Sequence, residues 1–149
     1  MKFFFRTMNI IYMGFIVSSL LIAGISIYLW NFELEIYTNL SIAKVLVIII
    51  FVLLSVILSQ YIYKKNLSRI SSNDQLILKL QVYQTASIYR LSILEFTLII
   101  SALFFIFSKM WVILLLIFTL LILIFLSRPS KKSFLNLFQI TEEELKSVE

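Results

Sequence analysis

The sequence contains no cysteine and no histidine, and only two glycines and one proline in 149 residues. Without cysteine the chain cannot form disulfides, thiolate metal sites or thiol nucleophiles. Without histidine it has no imidazole for proton transfer or metal binding. Charged residues make up 14% of the chain, whereas a soluble domain has about 25%. We therefore expect no catalytic residue, no cofactor, no metal site and no enzymatic activity.

The chain is instead rich in long apolar runs, since 61% of its residues are hydrophobic. A helix that crosses about 30 Å of hydrocarbon needs about 20 mainly apolar residues. Four segments approach that length, at about 10–30, 42–62, 87–107 and 110–126. The runs are continuous rather than alternating, and in lipid a helix satisfies its own backbone polar groups. The sequence predicts an all-α, polytopic protein with four transmembrane helices in a single membrane domain.

The connections between these runs predict two antiparallel helical hairpins. Helices three and four are joined by little more than "FSKM", which makes them close neighbours. Between the hairpins, residues 64–86 form a predicted cytoplasmic loop and helix extension. Residues 72–74 are good N-cap types, and apolar residues recur after them at helical spacing. We expect helix three to begin near Asp74 and to extend into the cytoplasm.

Residues 127–149 form a predicted cytoplasmic tail. Pro129 ends the fourth helix, because proline lacks a backbone donor and disfavours helix at the residue before it. Thr141 and Glu144 form a capping-box pattern, which predicts a short helix from about residue 142. The tail fits either a solvated flank or a docking element for a cytoplasmic partner. Three apolar residues beside two lysines suit the lipid headgroup layer: Phe134, Leu137 and Phe138.

The basic residues predict the orientation. Eleven of the thirteen Lys and Arg side chains fall on one side of a four-span chain, which places both termini in the cytoplasm. A cleaved signal peptide starting with "KFFFR" is the competing interpretation, but the apolar run is longer than the about 7–15 residues of a signal peptide's apolar h-region. The formal charge of +5 comes from residues that flank the spans, so we expect a bilayer rather than nucleic acid as the partner. The predicted location is the cell membrane.

Small residues at helical spacing predict the surfaces where helices meet, since they let backbones approach closely in lipid. Helix one carries two such rows and helix two carries one. Helix four has almost no polar residue, so it either faces lipid or packs on apolar surface alone. The predicted packing residues are Gly14, Ser18, Ser19, Ala23, Ser55 and Ser59.

Residues 89–105, "YRLSILEFTLIISALFF", place Arg90 at the cytoplasmic boundary and Glu95 inside a span. An ionisable group there costs about 2.5–3.5 kcal/mol, so it usually faces protein and finds a partner. Five helical residues separate the two side chains by about 140°, which argues against pairing within the helix. Ser92 and Gln84 share the Glu95 stripe of the helix and complete the candidate site. Ser87, Thr97 and Ser101 share the Arg90 stripe, and we expect both stripes to face protein. Glu95 either fixes helix packing, as a protonated or hydrogen-bonded group, or forms an ion, proton or partner site.

The second half of the chain resembles small uncharacterised bacterial integral membrane proteins with four helices. The resemblance implies a bacterial inner-membrane protein and brings no activity with it. Phe96 stands where those proteins have a glycine. The pattern consists of Arg90, Leu94, Glu95, Arg128, Pro129, Ser130 and Lys131.

These observations favour a small accessory or scaffold subunit that packs with itself or with another membrane protein. The alternative is a minimal transporter or ion-coupled protein that uses Glu95 after forming an oligomer, because four helices alone rarely enclose a path.

Overall fold

The structure, a computed structural model, describes residues 2–30, 42–71, 74–108, 110–138 and 140. These residues form five α-helices and contain no strand, which confirms the predicted all-α class. The helices are α1 (Lys2–Trp30), α2 (Ile42–Leu67), α3 (Leu76–Ser108), α4 (Trp111–Leu126) and α5 (Lys131–Phe138).

Three of these helices, α1, α2 and α3, are each long and apolar enough to cross a membrane. The apolar helix α4 has 16 residues, and it reaches the length of a span only together with α5, which follows a short break at an angle of 71°. The described residues therefore contain three candidate spans, or four if α4 and α5 are one broken span. By their length and composition, these helices mark the chain as a membrane protein.

Three helices, α1, α2 and α3, extend beyond the predicted spans into segments that contain basic residues. α1 begins at Lys2 rather than near residue 10, and α2 continues past residue 62 to Leu67. Apolar residues define the part of a helix that lies in lipid, but the backbone hydrogen bonds of the helix continue through charged residues. The bundle thus has an extended polar end.

α3 begins two residues after the predicted start near Asp74. Asp74 lies before the start of the helix, and its carboxylate accepts a hydrogen bond from the Ser71 amide at 2.7 Å. The first bond of the helix runs from the Lys79 amide to the Gln75 carbonyl. The other two predicted capping residues, 72 and 73, lie outside the described residues.

α3 is the central helix, since it packs along α1, α2 and α4. The predicted hairpin of helices three and four is confirmed as a packed pair. The predicted hairpin of helices one and two does not form a packed pair, because α1 and α2 lie against different sides of α3 and have no extensive contact with each other. α4 also contacts α1 and, to a smaller extent, α2.

The helices run antiparallel, so that α1 and α3 begin where α2 and α4 end. Three contacts define this end, which we call the basic end. They are the hydrogen bond from Arg128 to Asn9 at 3.2 Å, the Arg90 guanidinium over the Tyr63 ring, and the bond from the Ser130 amide to the Tyr83 hydroxyl at 3.3 Å. At the opposite end, the Trp30 ring contacts the rings of Phe105 and Trp111.

The small residues predicted to mediate packing are only partly in helix contacts. Ser19, Ala23 and Ser59 are buried, whereas Ser18 and Ser55 are half-buried. Gly14 makes no helix contact within the chain, because the residue is exposed and no atom lies within 4 Å of the position that a Cβ would take. Gly14 lies about 140° around α1 from Ser19, on the opposite side from the buried face.

α4 packs on the other helices through apolar side chains, and the Tyr12 hydroxyl of α1 also donates a hydrogen bond to the Phe125 carbonyl of α4 at 2.8 Å. One side of the helix is buried in the main core, through Ile113, Ile117, Leu120 and Ile124. Its hydroxyl residue, Thr119, is exposed and donates to the Leu115 carbonyl of its own helix at 2.9 Å.

The tail forms α5, a helix that the sequence patterns did not predict. α4 ends at Leu126 before Pro129, as predicted, and the Ser130 hydroxyl accepts a bond from the Ser133 amide at the start of α5. Phe134 is fully buried against the Tyr83 and Phe5 rings, so its interpretation as a headgroup contact is wrong. The predicted helix from about residue 142 lies outside the described residues.

Candidate functional site

The Glu95 side chain of α3 contacts α1. The Ser18 hydroxyl lies against the Glu95 carboxyl as a hydrogen-bond donor, and both side chains are half-buried. Ser18 also lies 3.1 Å from the Phe15 carbonyl of its own helix. Because a hydroxyl has one proton to donate, the bond that links α1 to α3 competes with a bond inside α1.

The surroundings of Ser18 contain a second hydroxyl. Ser19 is fully buried on α1, and its hydroxyl has no hydrogen-bond partner among the described residues. A buried hydroxyl without a partner loses the hydrogen bonds that water would supply, which costs about 1–3 kcal/mol. α1 thus carries one hydroxyl that is bonded to α3 and a buried one that has no partner among the described residues.

Arg90 is held by α2. Its guanidinium lies over the Tyr63 ring, 5.2 Å from the ring centroid, which is a cation–π geometry. The Nε atom of Arg90 is buried and has no hydrogen-bond partner among the described residues. Arg90 and Glu95 therefore point to different helices, as the 140° between them predicts.

The two polar stripes of α3 have different surroundings. Ser87, Thr97 and Ser101, on the Arg90 stripe, are buried, and each hydroxyl donates to a carbonyl one turn earlier in α3 at 2.7–2.8 Å. These hydroxyls are satisfied within the helix, so the residues serve as small packing groups. The Arg90 stripe faces protein, as predicted.

The prediction that the Glu95 stripe also faces protein is only partly right. Glu95 and Gln84 are half-buried on the side of α1, whereas Ser92 and Ile99 are exposed. The reason is that α1 and α2 do not meet, so one side of α3 has no neighbour. We call this side the open face of α3. It consists of Thr85, Tyr89, Ser92, Phe96, Ile99 and Leu103, all exposed.

Gln84 does not approach Glu95 in the structure. It lines a gap of about 10 Å³ between α1 and α3. Met8, Ile11 and Pro129 line the same gap, so Gln84 belongs to the contact of α3 with the start of α1 and the turn after α4. The four candidate residues thus divide among three places: the contact with α1, the contact with α2 and the open face.

The sequence patterns missed a polar cavity at the basic end. The cavity has a volume of about 80 Å³ and lies between the end of α2, the first half of α3 and the turn from α4 to α5. Its polar lining comes from distant parts of the chain, which is why spacing within one helix gave no signal. The polar residues that line it are Tyr63, Tyr83, Ser87, Arg90, Ser127, Arg128 and Ser133.

Part of this lining is held by hydrogen bonds. The Tyr83 hydroxyl lies 3.3 Å from the Ser130 amide and 3.4 Å from the Ser130 carbonyl, both at the long end of the normal range. The Ser127 hydroxyl donates to the Leu123 carbonyl at 2.6 Å. The turn after α4 is therefore attached to α3, which positions Arg128 beside the cavity.

No protein-family model matches the chain, and no curated protein or solved structure is similar to it. The arguments that follow therefore rest on the geometry of the chain itself.

Proposed function

We propose that the chain is a small accessory or scaffold subunit of the cell membrane, which acts by packing with a second copy or with another membrane protein. The proposal includes four spans with both termini in the cytoplasm. The role is one of binding and positioning rather than catalysis.

The charge distribution supports this orientation. The basic end carries several exposed basic side chains, whereas the opposite end is marked by the aromatic contacts of Trp30 and Trp111. Basic residues concentrate on the cytoplasmic side of membrane proteins, and tryptophans are enriched at the interfaces. The exposed basic residues at the basic end include Arg6, Lys64, Lys65, Arg69, Arg128 and Lys132.

The open face of α3 is the observation that carries the proposed role. α3 packs along α1, α2 and α4, yet Phe96 remains 61% exposed and Ile99 38% exposed between α1 and α2. Ser92 places a small polar residue on the same face, and small or polar residues favour helix association in lipid. A further helix packed here would cover the side of α3 that its own chain leaves uncovered.

The test compares Ser92→Trp with Leu115→Trp, which places the same large side chain on the exposed side of α4. Each protein is purified in a mild detergent, and its assembly state is measured by native mass spectrometry. We expect Ser92→Trp to weaken the oligomer or complex about tenfold, which is a loss of about 1.4 kcal/mol. Leu115→Trp should leave it unchanged, because Leu115 lies outside the open face.

Two results would contradict the proposal. A wild-type protein that is monomeric and carries no other protein has no scaffold role of this kind. The second result is a wild-type protein that carries protons or ions across proteoliposome membranes and a Glu95→Gln variant that assembles normally but does not. This result would support the ion-coupled alternative.

A further inference from the structure

We propose that the cavity at the basic end binds a phosphate-type oxyanion, supplied either by a phospholipid headgroup or by free inorganic phosphate. This inference concerns a different surface from the open face of α3 and does not depend on the proposed scaffold role.

Two arginines give the cavity the charge that such a ligand requires. Arg90 comes from α3 and Arg128 from the turn after α4, and none of the described residues that line the cavity is acidic. Guanidinium groups present several N–H donors in a planar fork, which matches the oxygens of a phosphate. The Ser133 hydroxyl adds a neutral donor to the same lining.

Arg90 supplies the second argument, because one of its donors, the Nε–H group, has no acceptor among the described residues. The Nε atom is also buried. The Tyr63 ring supports one face of the guanidinium but accepts no ordinary hydrogen bond from its edge. A buried donor on a charged group without an acceptor is costly, and Arg90 is one of the residues that line the adjoining cavity.

The volume and position of the cavity fit this ligand. Its volume of about 80 Å³ is several times the roughly 10–15 Å³ that holds one water molecule, so it can take a group of several oxygens. The cavity lies where α2 and α4 end at the basic end, and in the proposed orientation this is the level of the cytoplasmic headgroups. Anionic lipids and basic side chains attract each other at that surface.

The test uses the full chain and two changes at the accessible rim of the cavity. Arg128→Gln removes one guanidinium, and Ser133→Glu adds a carboxylate at an exposed position. Arg69→Gln and Ser68→Glu are the matched controls, because they make the same changes of charge at exposed residues of the basic end that do not line the cavity. Arg90→Lys is a further variant that keeps the charge but removes the Nε donor.

The lipid arm measures retained lipid. Each protein is incorporated into phosphatidylglycerol nanodiscs, released into detergent and examined by native mass spectrometry. We expect the wild type and both controls to retain phosphatidylglycerol. Arg128→Gln, Ser133→Glu and Arg90→Lys should each bind it about tenfold more weakly, because each loses or opposes a charge-assisted hydrogen bond.

The phosphate arm measures the unfolding temperature in neutral detergent, with inorganic phosphate compared with chloride at equal ionic strength. Retention of phosphatidylglycerol without stabilisation by phosphate identifies a lipid headgroup as the ligand, and the reverse result identifies free phosphate. Equal losses in the rim variants and the controls would overturn the proposal, because the effect would then be one of general surface charge. Absence of both effects in the wild type would also overturn it.

Discussion

Glu95 and Arg90 show two ways in which a bundle holds charged side chains near lipid. Glu95 meets a hydroxyl on α1, and Arg90 meets an aromatic ring on α2. Each contact links α3 to a different helix, so the two residues stabilise different sides of the same bundle. Neither contact requires the two charges to meet each other.

The link between Ser18 and Glu95 predicts a measurable coupling. Ser18→Ala and Glu95→Ala, alone and together, form a double-mutant cycle whose free energies of unfolding are measured by titration with a denaturing detergent. We expect a coupling energy of about 0.6 kcal/mol, the average for polar contacts between membrane helices, and no more than about 1.7 kcal/mol. The bond joins α1 to α3, so the double variant should lose less than the sum of the single variants.

Ser26 provides the control for this cycle. It lies on the same helix and donates to the Ala23 carbonyl at 2.8 Å. Ser26→Ala removes a hydroxyl that bonds within α1, so its effect should add independently to that of Glu95→Ala. A coupling energy for Ser26 as large as that for Ser18 would show that the Ser18 contact has no specific role.

At this scale the sequence could show that Glu95 needs a partner but not which residue it is. The cost of a charged group in lipid is a property of one residue, whereas its partner, Ser18, is 77 positions away. Which residue of α1 meets Glu95 depends on the rotation and height of that helix against α3. The same dependence explains why Gly14 was placed in a contact and is instead exposed.

At the scale of elements, α5 shows how a short helix becomes stable. A helix of 8 residues is marginal alone in water, so packing must hold it. The Ser130 hydroxyl satisfies an amide at its start, as an N-cap does, and Phe134 is buried among rings of α1 and α3. The apolar residues of the tail were visible in the sequence, but their burial depends on tertiary contacts.

Phe134→Ala should therefore release α5 from the bundle. Replacing a buried phenylalanine by alanine lowers stability by about 3–5 kcal/mol. The other contacts of a helix of this length do not compensate for that loss. We expect limited trypsin digestion of the purified protein to cut after Lys131 and Lys132 faster in this variant. Mass spectrometry of the fragments measures the rate.

Leu137→Ala is the matched control, because Leu137 lies on the same helix and is 44% exposed. It should be cut at the rate of the wild type. Equal rates of trypsin cleavage in Phe134→Ala and Leu137→Ala would show that Phe134 does not hold α5 in place.

At the scale of the molecule, composition predicts the class of fold better than it predicts how the helices are arranged. Apolar run lengths depend on the thickness of the bilayer, so α1, α2 and α3 could be recognised one at a time. Which helices pack together depends on contacts between runs. The short connection correctly predicted that α3 and α4 pack, but the longer loop between α1 and α2 permits α3 to separate them.

The number of spans can be tested because the chain has no cysteine. At 1.5 Å per residue, the 16 residues of α4 cover about 24 Å, less than a hydrocarbon layer of about 30 Å. A short span is tolerated by local thinning of the bilayer or by side chains that reach the interface. We therefore expect α4 to cross, which returns α5 to the side of the basic end.

Single cysteines at Asn39, Ser68 and Leu137 test this expectation with a maleimide that does not cross membranes. Asn39 lies between α1 and α2, Ser68 follows α2, and Leu137 lies on α5. In intact cells only Asn39→Cys should react, and the other two should react after permeabilisation. If Leu137→Cys and Asn39→Cys both react in intact cells, α4 does not cross the membrane. If Ser68→Cys and Leu137→Cys react and Asn39→Cys does not, the orientation is the reverse of the proposed one.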